Sequence, residues 1–235
     1  MEEVKCIETE GSIDESHSLI KFYSPSTLLL VGQSNAGKSS YMRKLVEYGD
    51  KLFTIPPSRY IWLYNIFQPL YENIVSASNG KLTFVQGLPT RSDIETWAKG
   101  EPHLVILCDD LYHLLINSKD ILDMFVLLSH HLCITFVASS HNVFMGGRFS
   151  KTITLNLSYI LCFRLNNRLQ LSTLATQLFC HQKKAKNFVQ AYDECMLEDQ
   201  FSPLIIDLCP QSKHSELRIR KDVLPGQYPK VFALE

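Results

Sequence analysis

The sequence has no apolar stretch of the roughly 20 residues that a helix needs to cross a bilayer, so we expect no membrane span. It has no internal repeats and no low-complexity segment, which excludes a repeat array or a fibrous chain. The first residues are charged and lack an apolar core, and we therefore expect no secretory signal. With 46% hydrophobic and 20% charged residues, the 235-residue chain has the composition of a soluble globular protein.

Paired cysteines are also missing. The seven cysteines are odd in number and include no Cys-x-x-Cys pair. Several lie in apolar, strand-like runs, where a thiol behaves as a small hydrophobic group. We therefore expect an intracellular, reducing compartment. A zinc site is the alternative, although the spacing of its possible ligands fits no familiar pattern: Cys180, His181, Cys195 and Cys209.

A strong excess of positive charge is absent, because the net charge is -1. A protein that coats DNA usually carries such an excess, since neutralising phosphates drives non-specific binding. Any contact with DNA should therefore be local, as in the pore of a ring. Two basic clusters could grip phosphates, with a solvated surface as the alternative for each: Lys183, Lys184 and Lys186, and Lys213, Arg218, Arg220 and Lys221.

Short apolar runs alternate with helical patterns from residue 27 to about residue 140. This alternation predicts an α/β fold whose mostly parallel central sheet carries helices on both faces. The chain length suits one large domain, so we predict a polar lead-in over 1–20 and a single domain over 21–235. The predicted strands are Thr27–Val31, Tyr60–Tyr64, Leu82–Val85, Leu104–Cys108, Leu132–Ala138, Thr152–Leu157, Tyr159–Phe163 and Leu204–Leu208. The predicted helices are Lys38 to near Gly49, Ser92–Ala98 with Ser92 as its N-cap, Leu111–Leu115, Ile121–Leu128, Leu169–Phe179 and Lys184–Met196.

The segment Gly32–Ser39 matches the phosphate-loop pattern G-x-x-x-x-G-K-S/T in full. It follows a predicted buried strand and opens a predicted helix, as the motif requires. Gly32 and Gly37 permit a backbone that turns successive N–H groups inward as an anion nest, and the helix adds its positive end. The pattern predicts that Lys38 contacts the β- and γ-phosphates of a nucleotide and that Ser39 ligates Mg²⁺. The predicted nucleotide-binding residues are Gly32, Gln33, Ser34, Asn35, Ala36, Gly37, Lys38, Ser39 and Ser40.

Two acidic residues, Asp109 and Asp110, directly follow the predicted strand Leu104–Cys108. A Mg²⁺–nucleotide site needs a carboxylate at the end of a neighbouring strand. We predict that Asp109 binds the metal through water and that Asp110 polarises the attacking water as a catalytic residue. The alternative is that one or both acids cap the helix that follows.

Two other classes of phosphate-loop protein fit less well. The sequence lacks the N/T-K-x-D tetrapeptide of GTPases, and its acidic pair is followed by Leu111 and Tyr112 rather than by an Asp-x-x-Gly pattern. A small-molecule kinase needs an arginine-rich lid, and the middle of the chain has few arginines. Hydrolysis of ATP is therefore favoured over transfer to a small substrate.

An ordered series of short matches between Tyr23 and Arg220 resembles the FtsK–HerA class of genome-packaging ATPases. The resemblance is greatest to those of poxviruses, adintoviruses and polinton-type elements. Besides the phosphate loop, the matching segments are 60–64, 68–71, 84–89, 109–111, 129–131, 134–138, 142–144, Arg148, 153–156, 163–166, 174–179, 191–192 and 204–208.

The resemblance implies a RecA-like ASCE fold, in which an extra strand separates the phosphate loop from the acidic strand. We expect Tyr60–Tyr64 or Leu82–Val85 to be that strand. The resemblance also implies an ATP-hydrolysing motor subunit in a homo-oligomeric, hexameric ring. Such a ring threads double-stranded DNA into a viral capsid, with capsid or portal proteins as partners. Its place of action would be the virus assembly site, in the nucleus or cytoplasm of an infected cell, or the virion.

In such a ring ATP lies between subunits, so that an arginine of the neighbouring subunit reaches the γ-phosphate. Arg148 is the first candidate for this catalytic arginine, followed by Arg164 and Arg168. The chain departs from the family at two positions. His141 stands where a Gln usually senses the γ-phosphate and could donate the equivalent hydrogen bond. Asp110 stands where many members of the wider class carry Glu.

Two further groups have non-catalytic interpretations. Neighbouring side chains in His130-His131 point to opposite sides, so we expect one to pack or cap and the other to face a neighbouring subunit. Tyr60, Trp62 and Tyr64 share one face of a strand, which favours core packing over base stacking. Two other functions stay open: a helicase or recombination ATPase with the same core, and a nucleotide-binding assembly protein with weak hydrolysis.

Overall fold

The computed structural model describes residues 6–7, 20–67, 69, 71, 74–75, 78 and 80–233. Within this part of the chain ten strands form one sheet. In chain order they are β1 (Cys6–Ile7), β2 (Thr27–Val31), β3 (Arg59–Tyr64), β4 (Leu82–Gln86), β5 (Leu104–Cys108), β6 (Ile134–Ser140), β7 (Tyr159–Cys162), β8 (Leu204–Asp207), β9 (Ile219–Lys221) and β10 (Lys230–Phe232).

The spatial order of the strands is β1-β10-β9-β8-β7-β2-β6-β5-β3-β4. The strands from β7 to β4 are mutually parallel, whereas β8, β9, β10 and β1 pair antiparallel. The predicted α/β fold with a mostly parallel central sheet is therefore confirmed. Most of the predicted lead-in over residues 1–20 lies outside the described residues, while Cys6 pairs with Phe232.

Helices connect and cover the strands. They are α1 (Lys38–Glu47), α2 (Gly49–Leu52), α3 (Arg91–Ala98), α4 (Tyr112–Leu115), α5 (Lys119–Asp123), α6 (Ser129–His131), α7 (Ser150–Leu155), α8 (Arg168–Leu178) and α9 (Gln182–Glu198). A π-helical turn, Met124–Leu128, links α5 to α6, and a 3₁₀ turn spans Ser215–Leu217. Among the described residues no helix is both long enough and apolar enough to span a membrane.

The core lies in two layers, one on each face of the sheet. Successive strand residues face opposite sides, so Leu29 and Ile106 pack in one layer while Leu30 and Leu107 pack in the other. All four side chains are fully buried. Burial on both faces explains why the central strands read as continuous apolar runs rather than as alternating patterns.

The strand between the phosphate-loop strand β2 and the acidic strand β5 is β6. The expectation that Tyr60–Tyr64 or Leu82–Val85 would occupy this place is wrong, because β3 and β4 lie beyond β5. Since β2, β6 and β5 are parallel, their carboxyl ends meet at one edge of the sheet. This edge holds the residues that follow Val31, Ser140 and Cys108.

The predicted strand Thr152–Leu157 is wrong, since this region forms helix α7. Ile153, Leu155 and Leu157 alternate in sequence as in a strand. The structure buries Ile153 and Leu157, four residues apart, and leaves Leu155 76% exposed. Four-residue spacing is helical, and the place beside β2 is taken by β7.

Other boundaries differ from the predictions for local reasons. Helix α3 begins after Thr90 rather than at Ser92, because Thr90 and Asp93 form a reciprocal capping box. Strands β1, β9 and β10 were not predicted. Each has only two or three residues, which is too few to show a periodic pattern.

Candidate nucleotide-binding site

The loop after β2 is held at its start by both neighbouring strands. The amide of Gly32 donates to the carbonyl of Ser140 at 3.1 Å, and that of Gln33 donates to the carbonyl of Arg164 at 2.9 Å. A Cβ at Gly32 would lie 2.7 Å from Cβ of Phe163, closer than such atoms approach. Gly32 is therefore required by this close packing.

The middle of the loop adopts left-handed backbone conformations. Asn35 has φ 59° and Gly37 has φ 100°, and alternation of left- and right-handed residues creates anion-binding nests of N–H groups. Helix α1 begins at Lys38 and has no acidic residue in its first turn. Its positive N-terminal end is thus available to an anion at the loop.

The Lys38 side chain lies along the loop. Its Nζ donates to the carbonyls of Gly32 and Gln33 at 2.9 and 2.8 Å. Burial lowers the pKa of Lys38, while the negative charges of Asp110 and Asp109 act in the opposite direction. The loop therefore contains a cation whose position is set by its own backbone.

The carboxylate of Asp109 accepts three hydrogen bonds from side-chain hydroxyls. Its Oδ1 accepts from Ser39 Oγ at 3.1 Å and from Ser139 Oγ at 2.9 Å. Its Oδ2 accepts from the hydroxyl of Tyr71 at 3.1 Å. Burial raises the pKa of the carboxyl, and the hydrogen bond from Ser39 opposes this most strongly. The three hydroxyl donors favour the ionised form that a metal ligand requires.

Asp110 differs from its neighbour because it is exposed. Its backbone has φ 56°, and its N–H donates to Ser139 Oγ at 3.0 Å. The residue before α4 is Leu111, and no side chain caps that helix. The alternative interpretation of Asp109 and Asp110 as helix caps is therefore wrong.

Ser139 and Tyr71 were not predicted as site residues. Ser139 is buried at the carboxyl end of β6 and contacts both acidic residues. A polar pair, Ser139-Ser140, at the end of an apolar strand is a signal that could have indicated this. Tyr71 gives no local signal, because its contact with Asp109 joins residues 38 positions apart.

An open cavity of about 480 Å³ lies over the loop. His141 lines it, and its Nδ1 lies 3.2 Å from the carbonyl of Gly32. Most of the predicted binding residues line the same cavity, whereas Tyr41, Lys44 and Phe201 were not predicted. The complete lining is Ser34, Asn35, Gly37, Lys38, Ser39, Ser40, Tyr41, Lys44, Asp110, His141 and Phe201.

The arginine candidates lie outside this cavity. Arg148 is exposed, and its guanidinium lies 5.1 Å from the ring centroid of Phe149. Arg164 and Arg168 border a separate open cavity. A role for Arg148 at the phosphates would therefore need a second copy of the chain, and it stays a prediction.

Two of the four residues of the second basic cluster are buried and paired with acidic residues. Arg220 and Lys221 are 2% and 1% exposed. Arg220 pairs with buried Asp207 at 2.8 Å, and Lys221 pairs with Glu198 at 3.0 Å. The interpretation of these two residues as DNA contacts is wrong, although Lys213 and Arg218 are exposed, as are Lys183, Lys184 and Lys186 at the start of α9.

The paired histidines are exposed, whereas two of the strand aromatics are buried. His130 and His131 are both exposed, so the expectation that one packs is wrong. Tyr60 and Trp62 are buried, which confirms core packing for these two residues. No group of three or more His, Cys, Asp and Glu side chains suited to a metal ion occurs among the residues that the structure describes.

The polar groups at the phosphate loop suit a triphosphate with a bound Mg²⁺ ion. Mg²⁺ prefers oxygen ligands and is usually bound by one or two protein oxygens together with phosphates. The Ser39 hydroxyl and the Asp109 carboxylate supply two such oxygens, 3.1 Å apart. Lys38, the loop amides and the helix end supply positive charge for the phosphates. These residues therefore fit the group that the loop motif implies.

The chain matches no family model and no curated protein sequence. Its structure is similar to that of B204, the DNA-packaging ATPase from Sulfolobus Turreted Icosahedral Virus. That similarity has a TM-score of 0.52 at 13% identity and covers 90% of this chain and 98% of B204. The genome-packaging NTPase B204 from Sulfolobus turreted icosahedral virus 2, in complex with AMP, has a TM-score of 0.50 at 15% identity over 78% of this chain and 93% of that one. At such identities the similarity establishes the fold alone, which this chain shares with these two proteins.

Proposed function

We propose that this chain is an ATP-hydrolysing motor subunit that translocates double-stranded DNA into a viral capsid. The observation that carries the hydrolytic part is the contact between Ser39 and Asp109, beside the Lys38 ammonium. Lys38 and Ser39 follow β2 and Asp109 follows β5, two strands separated by β6, and the fold brings these groups together at one edge of the sheet.

Each polar group has a separate task in this proposal. The loop amides and Lys38 bind the phosphates, and Lys38 must exchange its carbonyl contacts with Gly32 and Gln33 for phosphate oxygens. Ser39 would hold Mg²⁺ directly and Asp109 would hold it through water, and the bound ion would neutralise charge on the transferred phosphoryl group. Asp110 accepts a proton from the attacking water, because its exposed carboxylate lines the cavity. His141, which also lines the cavity, donates a hydrogen bond towards the phosphates once its Nδ1–H leaves the carbonyl of Gly32.

Packaging is favoured by two lines of support. The ordered sequence matches resemble viral packaging ATPases, and the similar fold of B204 belongs to a protein described as a DNA-packaging ATPase. We propose a homo-hexameric ring with capsid or portal proteins as partners, acting at the virus assembly site or in the virion.

In this ring the catalytic arginine comes from the adjacent subunit. Arg148 is exposed and lies outside its own cavity, as a residue acting on a neighbour must. Removing such an arginine lowers hydrolysis by roughly 10³–10⁵-fold. The lysines at the start of α9 are the proposed phosphate contacts for duplex DNA, because all three are exposed.

The main test is single-turnover hydrolysis of ATP with Mg²⁺ by the wild type and by Lys38→Ala. We expect the wild type to hydrolyse ATP and the variant to lose both binding and hydrolysis. Lys99→Ala is the control, since Lys99 is exposed and lies outside the cavity lining, and it should leave binding and hydrolysis unchanged. Equal rates for wild type and Lys38→Ala would favour a nucleotide-binding assembly protein instead.

The packaging part needs a second measurement. Blunt duplex DNA should stimulate hydrolysis while single-stranded DNA should not, and light scattering with an ATP analogue and duplex should detect a hexamer-sized particle. Stimulation by single strands would favour a helicase or recombination ATPase. A strict monomer under all these conditions would contradict the ring.

A further inference from the structure

One exposed aromatic side chain in the cavity takes no part in phosphate or metal binding. Phe201 lines the cavity with 56% of its surface exposed. A Cβ placed on Gly37 would lie 3.6 Å from Cδ1 of Phe201, so the ring lies within van der Waals reach of the phosphate loop. Exposing a phenylalanine ring to water is unfavourable. A flat apolar ligand that covers the ring would therefore gain hydrophobic free energy of binding.

The sheet order explains how Phe201 reaches this place. Strand β8 runs antiparallel to β7, with Leu204 opposite Cys162. The beginning of β8 therefore lies at the same edge of the sheet as the carboxyl ends of β7 and β2. Phe201 lies three residues before Leu204, so it flanks the phosphate loop from the β7 side.

The acidic residues flank the loop from the opposite side. Asp109, Asp110 and His141 follow β5 and β6, which lie on the other side of β2 from β7 and β8. A nucleotide whose terminal phosphates and metal lie near Asp109 must direct its other end away from the acidic strands. Phe201 is the exposed aromatic ring of the cavity lining, whereas the other aromatic residue there, Tyr41, is buried.

Hydrogen bonds hold the turn that carries Phe201. The amide of Phe201 donates to Oδ1 of Asp199 at 2.9 Å, and Ser202 Oγ donates to Oδ1 of Asp222 at 2.8 Å. Arg164, two residues after the end of β7, donates to Oε1 of Gln200 at 2.6 Å. These hydrogen bonds fix the turn that carries the ring, so less conformational entropy is lost when a ligand stacks on it.

We propose that Phe201 is the stacking platform for the nucleobase of the bound nucleotide. The proposal rests on the proposed nucleotide binding and adds the subsite that recognises the base. Stacking on a single phenyl face tolerates any base, because each base presents a π-face. Phe201 therefore contributes affinity for the nucleoside end rather than discrimination between purines.

The test compares ADP, which carries the base and is not a substrate for hydrolysis, with pyrophosphate, which lacks it. Calorimetric titrations with Mg²⁺ would use the wild type, Phe201→Ala and Phe201→Trp. Loss of one stacking contact should weaken ADP binding roughly fivefold to 150-fold in Phe201→Ala. Binding of pyrophosphate should be unchanged, and Phe201→Trp should retain ADP affinity.

Tyr228→Ala is the matched control, since Tyr228 is 74% exposed and lies outside the cavity lining. It should leave both affinities unchanged. Unchanged ADP binding in Phe201→Ala would overturn the proposal, as would equal weakening of ADP and pyrophosphate, which would show that the ring only shapes the loop. Altered particle size with unchanged ADP binding would assign Phe201 to a subunit interface instead. A wild type that binds neither ligand would overturn the proposed function itself.

Discussion

The hydroxyl of Tyr71 donates a hydrogen bond of 3.1 Å to Oδ2 of Asp109, while the phosphate-loop residue Ser39 donates to the other carboxylate oxygen, Oδ1. The Tyr71 ring is itself held by stacking on Phe84, with a centroid distance of 5.3 Å, and by Trp62 at the same distance. An aromatic cluster at one side of the sheet thereby orients the proposed metal ligand.

Tyr71→Phe should weaken Mg²⁺ binding while leaving the fold intact. Removal of an outer hydrogen-bond partner of a metal ligand typically lowers metal affinity about 10–100-fold. The measurement is the Mg²⁺ concentration that gives half-maximal enhancement of ADP binding, which should rise. Tyr60→Phe is the control, because Tyr60 is a buried tyrosine of the same core layer. Equal Mg²⁺ midpoints for wild type and Tyr71→Phe would contradict the positioning role.

Asp110→Asn should separate hydrolysis from binding. Asparagine tolerates the left-handed backbone at φ 56° as aspartate does, so the loop should keep its shape. Loss of the base should lower single-turnover ATP hydrolysis about 10²–10⁴-fold with ADP affinity retained. A variant that hydrolyses ATP at the wild-type rate would exclude Asp110 as the base.

Arg220→Met should destabilise the protein, because it leaves Asp207 buried without its cationic partner. Breaking a buried ion pair from one side typically costs about 3–5 kcal/mol. Unfolding in urea should show a lower midpoint, whereas Arg218→Met, at an exposed arginine two residues away, should change stability by less than about 0.5 kcal/mol. Comparable midpoints for the two variants would contradict a structural role specific to Arg220.

Stability should also depend on His103 at mildly acidic pH. The imidazole is fully buried, with Nδ1 2.6 Å from the carbonyl of Ile55 and Nε2 2.8 Å from Thr135 Oγ1. Burial lowers the pKa of His103 below its ordinary 6.5, against the opposing effect of the Ile55 carbonyl. The unfolded chain therefore binds the proton first, so the free energy of unfolding should fall as pH drops below 6.5 and be unaffected well above it.

Urea unfolding of the wild type and of His103→Gln between about pH 5.5 and 8 would test this effect, above the range where carboxylates titrate. The wild type should lose more stability on acidification than the variant, so the difference between them should shrink at low pH. Parallel pH dependence of the two proteins would show that His103 does not contribute.

The fold was predictable where the signal is local. The apolar runs at Thr27–Val31 and Leu104–Cys108 correspond to β2 and β5 without a change of boundary. Both strands are buried on each face, so their composition alone distinguishes them from loops. Thr152–Leu157 was wrongly predicted as a strand, because apolar residues at 153 and 157 fit both the two-residue alternation of a strand and the four-residue spacing of a helix. Only packing in the folded chain decides between these two patterns.

The burial of two basic residues near the C-terminus was likewise not predictable from local sequence. Lys213, Arg218, Arg220 and Lys221 look alike in sequence, since charge by itself suggests exposure. Arg220 and Lys221 are nevertheless buried, and they pair with Asp207 and Glu198, respectively. These partners are separated from them in the chain by 13 and 23 residues, so no local pattern could indicate the pairing.

The amino-acid sequence by itself determined the phosphate loop, the strand that leads into it, the helix that follows and the acidic pair at the end of another strand. These features arise from backbone preferences and burial patterns over a few neighbouring residues. The tertiary structure alone decided that β6 separates the two motif strands, that Tyr71 and Ser139 hold Asp109, and that Phe201 faces the loop. The physical reason is that these contacts depend on the order and direction of strands in the sheet, which is a property of the whole packed chain.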